Sequence, residues 1–138
     1  LRLAGWEERL GAILEDARAL PYEIGVHDCF RVACRVVEAL TGVDRWPEFA
    51  GRYRTTRQSR RLLALHGTSF EAAGDWFFGS PRADVREARR GDVVAIHTAD
   101  GEKHLGVVTL DGTKAALLGP GGLVFLPVTS CLCCWRIG

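Results

Sequence analysis

Apolar positions recur at helical spacing through the first third of the chain and fall into short strand-like runs through the last third. Between residues 6 and 19, Trp6, Leu10, Ile13, Leu14 and Ala17 are spaced by three and four. Glu7, Glu8, Arg9, Glu15, Asp16 and Arg18 occupy the other faces. This predicts an amphipathic helix over Trp6–Ala19. Pro21 stops it and Gly25 adds a flexible turn, so the approach to Cys29 reads as a loop. Asp28 is placed to cap a second helix over Asp28–Leu40, in which Cys29, Ala33, Val36, Val37 and Leu40 form one stripe. Thr41-Gly42 ends it. Cys29 therefore falls in the first helical turn and faces the body of the protein.

The middle of the chain is mixed. Trp46-Pro47 and Gly51 mark a loop, Thr55 or Thr56 caps a third helix running to Leu65, and Ser69–Phe77 reads as a short fourth helix before Gly79-Ser80-Pro81. Five β-like runs follow: Asp92–Ile96, His104–Leu110, Thr113–Leu118, Leu123–Val128 and Cys131–Ile137. Asp111-Gly112 between two apolar runs predicts a type I′ hairpin. Helices first and an antiparallel meander afterwards give an α+β domain. No internal repeat or low-complexity tract divides the 138 residues, so a single domain over 1–138 is expected.

Composition narrows the classes. Apolar residues at 47% and charged residues at 25% describe a globular chain, and a net charge of +1 supplies no field for nucleic acid or anionic membrane. One local exception is the run Arg52, Arg54, Arg57, Arg60 and Arg61, which reads as an anion-binding face or a solvated helix face. No apolar run is long enough to cross a bilayer, and Glu7 and Glu8 interrupt where the apolar region of a signal peptide would lie. Five cysteines, three of them at Cys131, Cys133 and Cys134, do not make a disulfide framework and fit reduced thiols in a cytosolic setting. In a continuous strand Cys131, Cys133 and Trp135 would share one face and Cys134 the other. Two readings stand for this C-x-C-C run. One is small apolar positions in a buried strand; the other is a metal site completed by a partner subunit.

The chemistry turns on Cys29. A thiol in the first turn of a helix meets the positive end of the dipole and unpaired backbone N–H groups, which favour thiolate and can stabilise an oxyanion. It still needs an imidazole to move the proton. Of the four histidines, His27 flanks the site in the loop and His66 ends a helix, where terminal carbonyls are its expected partners. His97 closes a strand. His104 opens the next one, and a histidine at a strand start facing a cysteine helix is the arrangement of papain-like sites.

Here the sequence resembles a family. Pro21-Tyr22, Gly25 and Asp28-Cys29 are similar to the approach to the cysteine helix in NlpC-type cell-wall peptidases, papain-like hydrolases of bacteria and phages. Arg90-Gly91-Asp92-Val93-Val94 resembles their first strand and His104-Leu105-Gly106-Val107-Val108 their histidine strand. Order and register match across about residues 6–137. The Trp6 helix, Gly51-Arg52-Tyr53-Arg54-Thr55 and the closing Trp135-Arg136-Ile137 resemble a small branch found among phage and prophage tail genes.

The resemblance implies a papain-like NlpC fold, N-terminal helices packed on a C-terminal antiparallel sheet, with no cofactor or metal. It implies that Cys29 is the nucleophile and His104 the general base, that Tyr22 lines the substrate side, and that Asp28 caps and positions. The implied reaction is hydrolysis of an amide in the peptidoglycan stem peptide during DNA entry. The implied partners are other tail-tip proteins, without nucleic acid or membrane insertion. The implied location is the virion tail, or the host cytoplasm before assembly. Two departures stand out. Phe30 replaces the small residue, usually Ser, that follows the family's cysteine, and no His, Asn or Gln stands on Thr113–Leu118, where the family orients its histidine. Thr113, a backbone carbonyl or water would have to substitute. These departures, with the aromatics Trp46, Trp76, Phe77 and Phe78 expected at the surface, motivate a second expectation: a catalytically inactive structural subunit of a tail tip that keeps the fold.

Overall fold

A computed structural model describes residues 1–138. Four α-helices precede a five-stranded antiparallel sheet, so the chain is α+β. The helices are α1 (Trp6–Ala19), α2 (Cys29–Thr41), α3 (Thr56–Ala64) and α4 (Phe70–Phe78). The strands are β1 (Val93–His97), β2 (Lys103–Val108), β3 (Lys114–Gly119), β4 (Gly122–Pro127) and β5 (Cys133–Trp135). Each of α2, α3 and α4 opens on a side-chain cap: Asp28 accepts from the Arg31 N–H, Thr55 from the Gln58 N–H and Ser69 from the Ala72 N–H. None of the helices is long and apolar enough to cross a membrane.

The sheet order is β4-β3-β2-β1-β5. β1 to β4 form the expected meander. β5 departs from it by returning past β1 to pair on the opposite edge, Ala95 against Cys133. One face of the sheet receives α1 and α2, where Leu10, Ile13, Val36 and Leu40 meet Val93, Ala95, Leu105, Val107 and Trp135. The other face carries Val94, Ile96, Val108, Ala115 and Leu117 and is covered by Val128 and Cys131, with Ala83 and Val85 at the margin. Burial on both faces is why β1 to β3 read as apolar runs without polar alternation.

Four local expectations change. The β2–β3 turn is not type I′, because that turn needs positive φ at both central residues and no residue other than glycine has positive φ here. Instead the Gly112 N–H donates to the Thr109 carbonyl, Gly112 alone is left-handed (φ 76°), and the Asp111 carboxylate accepts from the N–H and hydroxyl of Thr113. The last strand is short because a 3₁₀ turn over Val128–Ser130 precedes it. Cys131 therefore lies outside the strand and packs with Cys134 on one face, while Cys133 joins Trp135 on the other. The surface aromatics are also mostly interior. Phe77 is buried, Phe78 and Trp46 are half-buried, and only Trp76 is exposed. His66 stacks on Trp76 with the rings 3.7 Å apart instead of meeting helix carbonyls.

Asp92 ties both ends of the chain to β1. Its carboxylate is 1% exposed and accepts from Arg2 Nη2 (2.9 Å), the Arg89 N–H (2.9 Å) and the Ile137 N–H (3.1 Å). Asp92→Ala would leave a guanidinium and two backbone donors without their acceptor. The expected loss is about 3–5 kcal/mol in chemical denaturation. A loss under about 1 kcal/mol would mean that water replaces the carboxylate.

Candidate active site

The cysteine loop is held by one buried carboxylate. Asp28 Oδ1 accepts from the Arg31 N–H at 2.8 Å, and Oδ2 accepts from the Gly25 N–H at 2.8 Å and from the Tyr53 hydroxyl at 2.6 Å. The cap of α2 is thus locked both within the loop and from a segment 25 residues downstream. Tyr53 is buried, and burial followed by the Asp28 charge raises its pKa strongly. Sequence reading passed over Tyr53 as a site residue. Its signal was confined to the Gly51–Thr55 run, and the partner is too distant in sequence to show as a pattern.

Cys29 opens α2 where β2 and β3 part. The hydrogen bonds from the Thr98 N–H to the Glu102 carbonyl and from the Val108 N–H to the Asp92 carbonyl fix which β2 residues face β1. By alternation the Leu105 N–H points the other way, toward β3. The β2–β3 ladder, however, is only Val107 against Ala116 and Val108 against Ala115. The Leu105 amide, with the N–H groups of Cys29 and Phe30 at the helix start, lies close enough to the Cys29 thiol to favour its charged form. Cys29 consequently packs against the clusters on both faces of the sheet.

His104 immediately precedes Leu105 and lies opposite Ile96, on the Val94–Ile96–Val108 face that Cys29 also reaches. Gly106 follows on the same face. A Cβ there would stand 2.6 Å from Ile96 Cδ1 and 3.2 Å from the Ala116 carbonyl oxygen, so glycine keeps the strand close beside the histidine. Cys29 is tied to His104 only through Leu105, the residue after it on β2, and no hydrogen bond joins Cys29 and His104 themselves. Tyr22 is half-buried against the main core, and its phenol feels burial, then the charge of Asp28, then Cys29, all of which raise its pKa. Tyr22, Asp28 and Cys29 are therefore gathered, and His104 stands next to Leu105 on the Ile96 face of the sheet, opposite the face that α2 covers. Two concavities, of about 410 Å³ between α1 and β3–β4 and about 670 Å³ beside Arg2 and Arg90, involve none of them.

The electrostatics differ from the helix-start expectation. Burial pushes the Cys29 thiol up to about 11, and the Asp28 charge adds to this. The three backbone N–H groups oppose the shift without overcoming it. Burial lowers the His104 pKa, partly offset by Asp100 in the β1–β2 loop, so the imidazole is neutral at pH 7 and free to accept a proton. No side chain hydrogen-bonds to the ring. Thr113 does not substitute for the missing orienting group, because it is bonded to Asp111 near Thr109, about 16 Å from His104 by strand rise. The interior of β3, Ala115–Leu118, is buried and apolar.

Phe30 has a packing role. Its ring lies 5.0 Å from Phe49 and 5.1 Å from Phe77, inside an aromatic cluster between α2 and α4 that also takes in Trp46. That cluster occupies the side of α2 where a small residue would leave a void.

With this geometry in view, comparison with known proteins gives one match. A family model described as "Domain of unknown function (DUF6950)" covers residues 1–137. The chain belongs to this family. No curated protein matches it. For the DUF6950 chain, the site rests on its own residues.

The raised thiols, of which Cys29 is half-buried and Cys34 and Cys134 buried, imply a pH dependence. Cys29 and Cys134 are each pushed to about 11 and Cys34 to about 12, all chiefly by burial, against an ordinary thiol value of 9.0. Folded-state values above the unfolded ones mean that their contribution to stability is complete below pH 9 and lost as pH rises through about 11. Thermal melting temperatures are expected to be level up to pH 9 and to fall steeply above it. At pH 8 Cys29 should alkylate with iodoacetamide about a hundredfold more slowly than a free thiol, rising about tenfold per pH unit. Peptide mapping by mass spectrometry reads this directly. An alkylation midpoint near 7 would overturn the burial argument.

Proposed function

We propose that this DUF6950 chain is a papain-like cysteine hydrolase of the NlpC type, carried in a phage or prophage tail. In this reading it cleaves an amide of the peptidoglycan stem peptide. The observation that carries the reading is Cys29 in the first turn of α2, its thiol near the Leu105 amide, with His104 beside Leu105 on β2. Neutral His104 takes the thiol proton as Sγ attacks the amide carbon. The N–H groups at the helix start receive the developing oxyanion. The C–N bond then breaks, His104 returns the proton to the leaving amine, and water, deprotonated by His104, hydrolyses the thioester. A thiol near 11 makes this concerted use of the base necessary, since little thiolate exists at rest. Tyr22 borders the substrate side, and Asp28 with Tyr53 holds the cap.

The test is digestion of purified muropeptides by the full chain, followed by chromatography and mass spectrometry of the products. New amine and carboxylate ends support the proposal, and intact muropeptides sink it. A second reading is favoured by the apolar interior of β3 and by the absence of any hydrogen bond to the His104 ring. In that reading the chain is a structural subunit of the tail tip, contacting other tail-tip proteins and performing no chemistry. A phage carrying both Cys29→Ala and His104→Ala that still plates at full efficiency would favour it.

A further inference from the structure

The run of arginines singled out in the sequence is solvent-exposed, and two contacts tie its segment to the candidate site. Arg57, Arg60 and Arg61 stand at i, i+3 and i+4 on α3 and share one side of that helix. Arg60 pairs with Glu102. Glu102 lies two residues before His104 and, by strand alternation, on the same face. The arginine side of α3 is thereby turned toward the hairpin that carries the histidine. The segment leading into α3 is fixed against the cysteine loop. Tyr53 bonds Asp28, and Gly25 sits so close that a Cβ would fall 2.2 Å from the Tyr53 carbonyl oxygen and 3.6 Å from Arg54 Cα. Arg54, Arg57 and Arg61 are exposed, and no carboxylate in the chain pairs with them.

We infer that Arg54, Arg57 and Arg61 form a cationic rim on the Cys29–His104 site that selects a peptide substrate bearing free carboxylates. The inference rests on the peptidase reading and adds the charge class of its substrate. Three exposed guanidiniums without a carboxylate partner stand on the segment between the Tyr53 contact to the cysteine loop and the Arg60 contact to Glu102, so they are open to an anion. Arginine forks suit carboxylates in two-point contact. A nucleic acid fits less well. The chain carries a net charge of only +1, and no aromatic residue stands among residues 54–61 to stack on bases.

The test uses the full chain with Cys29→Ala, so that binding is read without turnover. The probes are a purified tetrapeptide muropeptide, the same muropeptide with its carboxylates amidated, and a single-stranded oligonucleotide of ten bases. The free-carboxylate form is expected to bind about tenfold more tightly than the amidated form, the size of a few partly exposed charge pairs, with the difference shrinking as salt rises. The double variant R57E/R61E is expected to remove that difference. Glu at position 57 lies in the first turn of α3, where the helix dipole favours it, and R57Q/R61Q serves as a second variant with no reversed charge. Equal affinity for the two muropeptides, no binding of either, unchanged preference in both double variants, or tighter binding of the oligonucleotide would each overturn the rim. The outcomes also separate this inference from the reaction. Carboxylate-dependent binding by a chain whose Cys29 form cuts nothing supports the rim and removes the peptidase. Hydrolysis indifferent to amidation overturns the rim and leaves the peptidase standing.

Discussion

Cys29→Ala is expected to abolish muropeptide hydrolysis, with a loss of at least about a thousandfold, since no other group can form the thioester. The next most accessible sulfur offers no substitute. Cys34 is fully buried one and a half turns along α2, and Cys131, Cys133 and Cys134 are buried at the far edge of the sheet. His104→Ala should cost nearly as much, about a hundredfold to ten-thousandfold. Cys29 near 11 leaves only about one thiolate in ten thousand at pH 7, so attack without a base is starved of nucleophile. The double variant should be no worse than the worse single one, because the two groups serve one proton transfer. Activity should fall on the acid side only below pH 6.5, where the imidazole begins to protonate despite its burial. Near-UV circular dichroism of each variant guards against unfolding. Wild-type rates in either single variant would remove the assigned roles.

The parts of this architecture that could be read from the sequence are those set by local rules. The spacing in Trp6–Ala19 and the sequence Asp28-Cys29 before an apolar stripe depend only on helix period and capping, and α1 and α2 form as expected with Asp28 as the cap. The placing of Cys29 at the start of α2 and of His104 at the start of β2 was legible because each falls at the end of its own element. What could not be read depends on contacts far apart in sequence. Phe30 looked like an obstacle to catalysis, but Phe49 and Phe77 arrive from later segments to receive its ring. The helix start suggested a thiolate, but packing of Cys29 against the clusters on both faces of the sheet raises the thiol, and burial outweighs three N–H groups. The cysteines of the last run sort by a 3₁₀ turn that strand alternation does not foresee. The hold of Tyr53 on Asp28 spans 25 residues and leaves no periodic trace.

That hold makes Gly25 the most sensitive backbone position near the site, and Gly25→Ala is expected to unfold the cysteine loop. The residue is left-handed, with φ at 83°, which alone costs a side chain about 1 kcal/mol. The larger effect is contact. The new Cβ would lie 2.2 Å from the Tyr53 carbonyl oxygen and 3.3 Å from its carbonyl carbon, and these are backbone atoms that cannot rotate away. Relieving the clash moves the Tyr53 segment outward and breaks both the Tyr53–Asp28 and Gly25–Asp28 hydrogen bonds, leaving a buried carboxylate with one donor of three. A loss of about 4 kcal/mol or more is expected in denaturant titrations, with hydrolysis lost through misplacement of Cys29. Gly51→Ala is the matched control. Gly51 is also left-handed, with φ at 75°, but a Cβ there meets nothing within 4 Å, so its cost should stay near the 1 kcal/mol of the backbone alone. Equal effects at the two positions would show that left-handed strain, and not the approach of Tyr53, holds the loop that carries the nucleophile.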